Sequence, residues 1–193
     1  MASASVRPLR IVITGARGLG RGLARCLLQR GHRIHLLDVN EAELHHTLTV
    51  HLPKHASSYP KQTIGTLFAG SQCDVSKPEE VVRAVQEAAS NLGGGFDVLV
   101  NMAANTQGFQ FQPPSPGQPG LLAENAFMEW QKSMNVNLTG AFLCAQQSVK
   151  YLSSPSKDDR TKEKDASEWG NIINISSSRA LQSEPNSEGY AAT

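Results

Sequence analysis

The hydrophobic and polar positions of this chain alternate between short apolar runs and amphipathic stretches. Arg10 to Thr14 (RIVIT) is a continuous β-branched run, the pattern of a strand buried on both faces. It enters a glycine-rich turn, GARGLGRG, after which Leu19, Leu23, Cys26 and Leu27 recur at helical spacing and Gly31 marks the stop. RIHLLD, ending in Asp38, reads as a second strand. Glu41 to about Val50 reads as a helix, with Pro53 and Pro60 bracketing a loop behind it. TLFAGSQCD reads as a third strand. Ser76 and Glu79 have the spacing of a capping box. The helix they would open carries Val81, Val85, Ala88 and Leu92 on one face and ends at Gly93, Gly94 and Gly95.

Phe96 to Asn101 (FDVLVN) is a fourth strand pattern. Residues 105–123 hold four prolines and three glycines, which excludes regular structure. This insert reads equally as a substrate cover or a surface insertion. A long helix follows, with Phe127, Trp130, Met134, Leu138, Ala141, Ala145, Val149 and Leu152 near helical period. Residues 153–168, with four basic and five acidic side chains, read as a solvated loop. GNIINIS is a fifth strand. Strands alternating with helices over one domain-sized chain predict an α/β fold, a doubly wound parallel sheet of Rossmann type ordered 3-2-1-4-5.

Composition narrows the partners. The chain has 193 residues, 39% hydrophobic and 18% charged, with a formal net charge of +1. That balance gives no electrostatic case for nucleic acid or an anionic membrane. No apolar run is long enough to span a bilayer, and the polar start MASASVRPLR lacks a signal-peptide core, so the expected location is cytoplasmic. Cys26, Cys73 and Cys144 are widely spaced and odd in number, which fits reduced thiols. No metal site is expected: Pro53 interrupts a helical pairing of His51 with His55, and His45 and His46 point apart.

The chemistry concentrates behind the first strand. Gly15, Gly18, Gly20 and Gly22 occupy a strand-to-helix turn, where backbone N–H groups and the helix dipole favour an anion such as a pyrophosphate. Asp38 ends the second strand, at the place where an acid accepts hydrogen bonds from an adenosine ribose. A carboxylate there would repel a 2′-phosphate, so NAD(H) is favoured. Arg17, a cation in the turn, pulls the other way and keeps NADP(H) possible.

TGARGLGRG, CDV, NMAA, NVNLTGAF and NISSSRALQSEPNSEGY occur in this order. Together they resemble the short-chain dehydrogenase/reductase family over nearly the whole chain. The resemblance implies hydride transfer between a nicotinamide dinucleotide and a small alcohol or carbonyl substrate, in a protein that forms homo-oligomers. It places the cofactor on Gly15, Arg17, Gly18, Leu19, Gly20, Asp38, Asp74, Val75, Asn101 and Ala103. The glycine motif is one residue shorter than the family's TGxxxGxG, and Met102 and Ala104 stand where the family has Asn and Gly.

The same resemblance implies three catalytic residues. Asn137 matches the family's relay asparagine, with Asn135 as a rival for that match. Ser177 lies at the family's distance before Tyr190 and would hold the substrate oxygen, while Tyr190 would act as acid/base. The family's tyrosine is followed at the fourth position by a lysine, and the sequence stops at Thr193, one residue short of it. The expectation is therefore a C-terminally incomplete domain, inactive or impaired as given. The alternative is a non-catalytic module that binds a dinucleotide or a partner.

Overall fold

The computed structural model describes residues 7–56, 59, 65–106, 124–152, 170–182 and 187–193. Five parallel strands form one sheet: β1 (Arg10–Thr14), β2 (Arg33–Asp38), β3 (Phe68–Gln72), β4 (Val98–Asn101) and β5 (Asn171–Asn174). Their spatial order is β3-β2-β1-β4-β5. Helix α1 (Gly18–Gln29) follows β1 and α2 (Glu41–His46) follows β2, the latter running on through a π-helical segment (Thr47–His51) into a final α turn (Leu52–His55). Helix α3 (Pro78–Asn91) follows β3. Then come α4 (Glu124–Ser133), a second π-helical segment (Met134–Thr139), α5 (Gly140–Ser148), a 3₁₀ turn (Ser178–Ala180) and the short α6 (Glu188–Ala191).

Strand alternation sorts the core into two layers. Ile11, Ile13, Ile34, Leu36, Val98 and Val100 face one side, against Ala24 and Leu28 of α1 and Leu44 of α2. Val12, Leu37 and Leu99 face the other, against Val81, Val85 and Ala88 of α3 and Cys144 of α5. Burial on both faces is why the central strands are so largely apolar.

Several local expectations change. The buried face of α1 is Gly20, Ala24 and Leu28, while Leu19 is 78% exposed; a helix pressed close to a sheet presents its small residues. Helix α2 continues past Val50, and Pro53 sits inside its last turn instead of starting a loop. No capping box forms at α3. Its N-cap is Lys77 with Pro78 in the first turn, and the Ser76 hydroxyl turns back to donate to Asp74 Oδ1 (2.6 Å). Strand β4 begins at Val98, two residues after the expected Phe96.

The largest change concerns the long helix. Its buried positions are Ser133, Gly140, Cys144 and Ser148, whereas Phe127, Leu138 and Val149 of the expected apolar face are exposed. The buried set runs one residue before the expected one, at Ser133 ahead of the π-helical segment as at Gly140, Cys144 and Ser148 behind it. Strand β5 pairs with β4 through Val98↔Asn171 to Asn101↔Asn174, and all four of its residues are exposed. The bulk of the 105–123 insert and all of the 153–168 loop lie outside the described residues.

At the N-terminal ends of the strands, Asp97 is buried and gathers a cluster of donors. Its carboxylate accepts from Arg7 (3.0 and 3.1 Å), from the Arg10 side chain (3.0 Å) and from the Arg10 amide (2.8 Å). Its own amide donates to Arg10 O, and Asn171 N donates to its carbonyl (2.8 and 2.9 Å). Charge is thus neutralised by direct contact, which a buried carboxylate requires.

His35, fully buried on β2, shares a 2.8 Å hydrogen bond between Nε2 and Ser71 Oγ of β3, and its Nδ1 has no partner among the described residues. Burial lowers its pKa from 6.5 to about 4. The unfolded chain therefore takes up this proton at higher pH than the folded one. Stability is full above the unfolded value and falls as pH drops toward the folded one, by about 3 kcal/mol in all. Urea denaturation between roughly pH 7 and pH 4 will show this loss in the wild type and a shallower one in His35→Gln.

Candidate active site

Most of the candidate residues lie at or just behind the C-terminal ends of the parallel strands, where open α/β sheets bind ligands. Behind β1 the chain turns sharply at Gly15 (φ +89°) and again at Gly18 (φ +49°). Gly15 N donates to Leu37 O of β2 (2.6 Å). A Cβ on Gly20 would stand 1.9 Å from Gly15 O, so α1 rests directly on the strand end. At the opening of α1, Arg17 is the N-cap but supplies no side-chain cap, and no acidic residue occupies the first turn. The first amides of α1 are thus left without a side-chain acceptor, and space around Gly18 is open to 4 Å.

Asp38 is buried at the end of β2. Its Oδ2 accepts from Ala16 N (2.6 Å) and its Oδ1 from Asn40 N (2.8 Å). The sequence suggested an acid waiting for a ribose. The structure adds that the same carboxylate holds the glycine turn against β2. Each oxygen still has acceptor capacity beyond these bonds.

Asp74, behind β3, accepts from Ser76 N and Oγ, and its amide donates to Glu80 Oε2 (2.8 Å). That amide bond is the main reason the Glu80 carboxyl is held below its usual range, with Lys77 contributing. Val75 packs on Gly140, where a Cβ would approach its Cγ2 to 2.7 Å. The neighbouring Cys73 is buried, and burial pushes its thiol up to about 12, with Glu80 and Asp74 adding to the effect. Burial does the same to Cys144. Neither thiol is a nucleophile at neutral pH, and all three cysteines are free.

Behind β4, Asn101 Nδ2 donates to Ala141 O (3.1 Å) and Asn174 Oδ1 (2.9 Å), tying β4 to α5 and β5. Met102 N and Ala103 N both donate to Thr14 Oγ1 (2.9 Å each). The NMAA turn is therefore fastened to β1 beside the glycine turn, with Ala103 lying against Gly15. Thr14 was not among the candidates, although it is the threonine that opens the motif.

Asn137 lies in the π-helical segment, which accounts for an asparagine in the middle of a helix. Its Oδ1 accepts from Asn105 N (2.7 Å), and its Nδ2 donates to Asn105 O (3.1 Å) and to Thr193 Oγ1 (2.9 Å). Its side chain thus fixes the root of the 105–123 insert and the last turn of the chain. Its rival Asn135 is exposed. Ser177 caps the 3₁₀ turn, its Oγ accepting from Arg179 N (3.2 Å). Because Oγ acts there as acceptor, the hydroxyl proton remains available to a further partner. Tyr190 is half-buried in α6, which touches the 3₁₀ turn, the π-helical segment and α4. The elements bearing Asn137, Ser177 and Tyr190 therefore meet at one corner.

Residues 10–193 match the family model described as short chain dehydrogenase. The chain belongs to that family. It is 30% identical over 146 residues to carbonyl reductase family member 4 of Danio rerio, a match covering 76% of this chain and 52% of the relative. Among solved structures it is similar to an actinorhodin polyketide ketoreductase variant with NADPH, at 27% identity and a TM-score of 0.67, covering 95% of this chain and 59% of that one. It also shares the fold of an NAD⁺-bound xylitol dehydrogenase, at 22% identity and a TM-score of 0.67, covering 94% and 58%. The chain spans about half the length of the curated relatives it matches.

Two further features bear on the site. Among the described residues no group of three or more His, Cys, Asp or Glu could hold a metal ion. The His51 and His55 rings nevertheless lie 5.1 Å apart in a T-shaped pair, because the helix runs through Pro53. No helix among the described residues is long and apolar enough to cross a membrane.

The glycines of the turn separate by experiment. Gly20→Ala forces α1 off the strand end and is expected to cost about 3 kcal/mol or more. Gly22→Ala meets nothing within 4 Å and should stabilise by about 0.5–1 kcal/mol through helix propensity. Urea midpoints of the two variants measure both effects.

Proposed function

We propose that this chain forms the dinucleotide-binding part of an oxidoreductase that interconverts an alcohol and a carbonyl compound by hydride transfer. The observation that carries this reading is the contact of α6 with both the 3₁₀ turn and the π-helical segment, whose Asn137 bonds the Asn105 backbone just behind the NMAA turn. That arrangement would bring a phenol and a hydroxyl toward the NMAA turn, which is fastened to β1 behind the glycine turn.

The uncapped start of α1, with Gly15, Arg17, Gly18, Leu19 and Gly20, would hold the pyrophosphate. Asp38 would accept from the adenosine ribose. Asp74, Val75, Asn101 and Ala103 would line the adenine and nicotinamide sides. NAD(H) is the preferred form, because no cationic side chain pairs with Asp38 among the described residues, and the nearby Arg21 is held by Glu43. NADP(H) remains the weaker alternative, through Arg17.

The bound nicotinamide supplies the hydride acceptor or donor. In the reducing direction Ser177 Oγ–H donates a hydrogen bond to the substrate carbonyl oxygen and fixes its place. The Tyr190 phenol gives its proton to that oxygen as the carbon gains the hydride, and solvent replaces the proton. In the oxidising direction the phenolate takes the alcohol proton. Asn137, engaged with Asn105 and Thr193, holds the floor of this corner together. The surrounding protein would be a homo-oligomer acting on a small molecule.

In the intact protein Tyr190→Phe is expected to lower turnover by about 10²-fold or more with the NADH dissociation constant unchanged. Wild-type turnover in Tyr190→Phe would overturn the assignment. NADH binding with no turnover in the wild type would make the chain a non-catalytic dinucleotide module. Asp38→Ala should erase the preference for NADH over NADPH, read from the two dissociation constants.

A further inference from the structure

We infer that Thr47, a residue outside every motif of the family resemblance, is a positioning residue for the dinucleotide turn. The inference rests on the dinucleotide reading above and concerns how the turn is kept in shape. Thr47 is fully buried and opens the π-helical segment behind α2. Its hydroxyl donates to Ala16 O (2.9 Å) and accepts from Arg21 Nε (2.8 Å). Arg21 Nη2 in turn pairs with Glu43 Oε2.

Ala16 is the residue on which these contacts close. It is fully buried in the middle of the glycine turn, and its amide donates to Asp38 Oδ2 (2.6 Å). Its N–H is therefore held by β2 and its C=O by the helix behind β2, while α1 contributes Arg21. On one side stands Gly15 and two residues beyond stands Gly18, both at positive φ. Glycine backbones of this kind rotate readily. With its carbonyl released, the peptide between Ala16 and Arg17 would be free to turn over. That peptide leads directly into the first amides of α1, the donors meant for a pyrophosphate.

The chemistry requires a hydroxyl at position 47. One O–H donor and one acceptor lone pair satisfy Ala16 O and Arg21 Nε together. Valine has the same shape but would leave a buried carbonyl without its donor, and such an orphan is costly. The neighbouring residues of the helix contribute as well. Leu44 and Leu48 pack over Gly70, where a Cβ would meet both side chains. Leu44, Thr47 and Leu48 share one helix face, so the apolar seat and the hydroxyl are held by the same element.

The test compares Thr47→Val with Thr47→Ser in the intact protein, using NADH titration calorimetry, urea denaturation and amide hydrogen exchange over residues 15–20. Thr47→Val is expected to weaken NADH binding about tenfold, with kcat at saturating cofactor unchanged and faster exchange across the turn. Thr47→Ser, which keeps the hydroxyl, should bind within about twofold of wild type. A Thr47→Val protein with wild-type affinity and exchange would overturn the inference. So would a Thr47→Ser protein impaired as much as Thr47→Val, since the lost methyl would then be the cause. If Thr47→Val does not fold, Arg21→Gln removes one anchor of the hydroxyl from a part-exposed position. It should weaken NADH binding about threefold, and unchanged binding there would overturn the inference. A wild type that binds no dinucleotide would sink the functional reading alone, with the exchange comparison still deciding the role of Thr47.

Discussion

The site depends on one close contact, the backbone of Gly20 against the carbonyl of Gly15. There is no room for a methyl group between them, so α1 can descend onto the end of β1 and point its first amides over the sheet. Everything that meets the turn uses the space this contact defines. Asp38 reaches Ala16, Ala103 lies against Gly15, and Thr14 holds the two amides behind β4. The same device recurs where Gly70 admits Leu44 and Leu48, and where Gly140 admits Val75. Close packing of backbone on sheet leaves little freedom to drift.

The two ends of the sheet solve opposite electrostatic problems. At the N-terminal ends, the buried Asp97 is neutralised by Arg7 and Arg10, and its hydrogen bond and charge raise the pKa of Arg7. At the C-terminal ends, Asp38 is held by backbone amides and carries no salt bridge among the described residues. One carboxylate is used as a fastening, so its charge is cancelled. The other is held by the amides of Ala16 and Asn40.

The central strands were legible because burial on both faces leaves a dense apolar signature, unbroken in IVI of β1 and interrupted in β2 by His35 alone between Ile34 and Leu37. Gly15 and Gly20 were legible because a strand that reverses at once into a helix brings backbones too close for a Cβ. Asp38 stood out as the one acid of its strand, at the C-terminal end. Helix faces were harder to read. In α1 the buried side is small, Gly20 and Ala24, and hydrophobicity points instead to the exposed Leu19. In the long helix the buried side is again small or polar, with Ser133 and Ser148 buried and Leu138 and Val149 exposed. Thr47 was invisible because its hydroxyl contacts, to Ala16 O and Arg21 Nε, join elements far apart in sequence. Asn137 was recognisable only through resemblance, and its bonds to Asn105 and Thr193 join parts of the chain far apart in sequence.

The order β3-β2-β1-β4-β5 also sets a schedule for folding. Strands β1, β2 and β3 pair with near neighbours in sequence, through registers such as Ile11↔Ile34 and Leu36↔Gly70. The other edge of β1 must wait for β4, where Ile11 meets Val98. Loop closure over that distance is slow relative to the local pairings. During synthesis the first three strands can therefore assemble while the apolar edge of β1 stands open, the kind of surface that invites pairing with another chain. The most central strand of the finished sheet is thus the most exposed edge of the growing one.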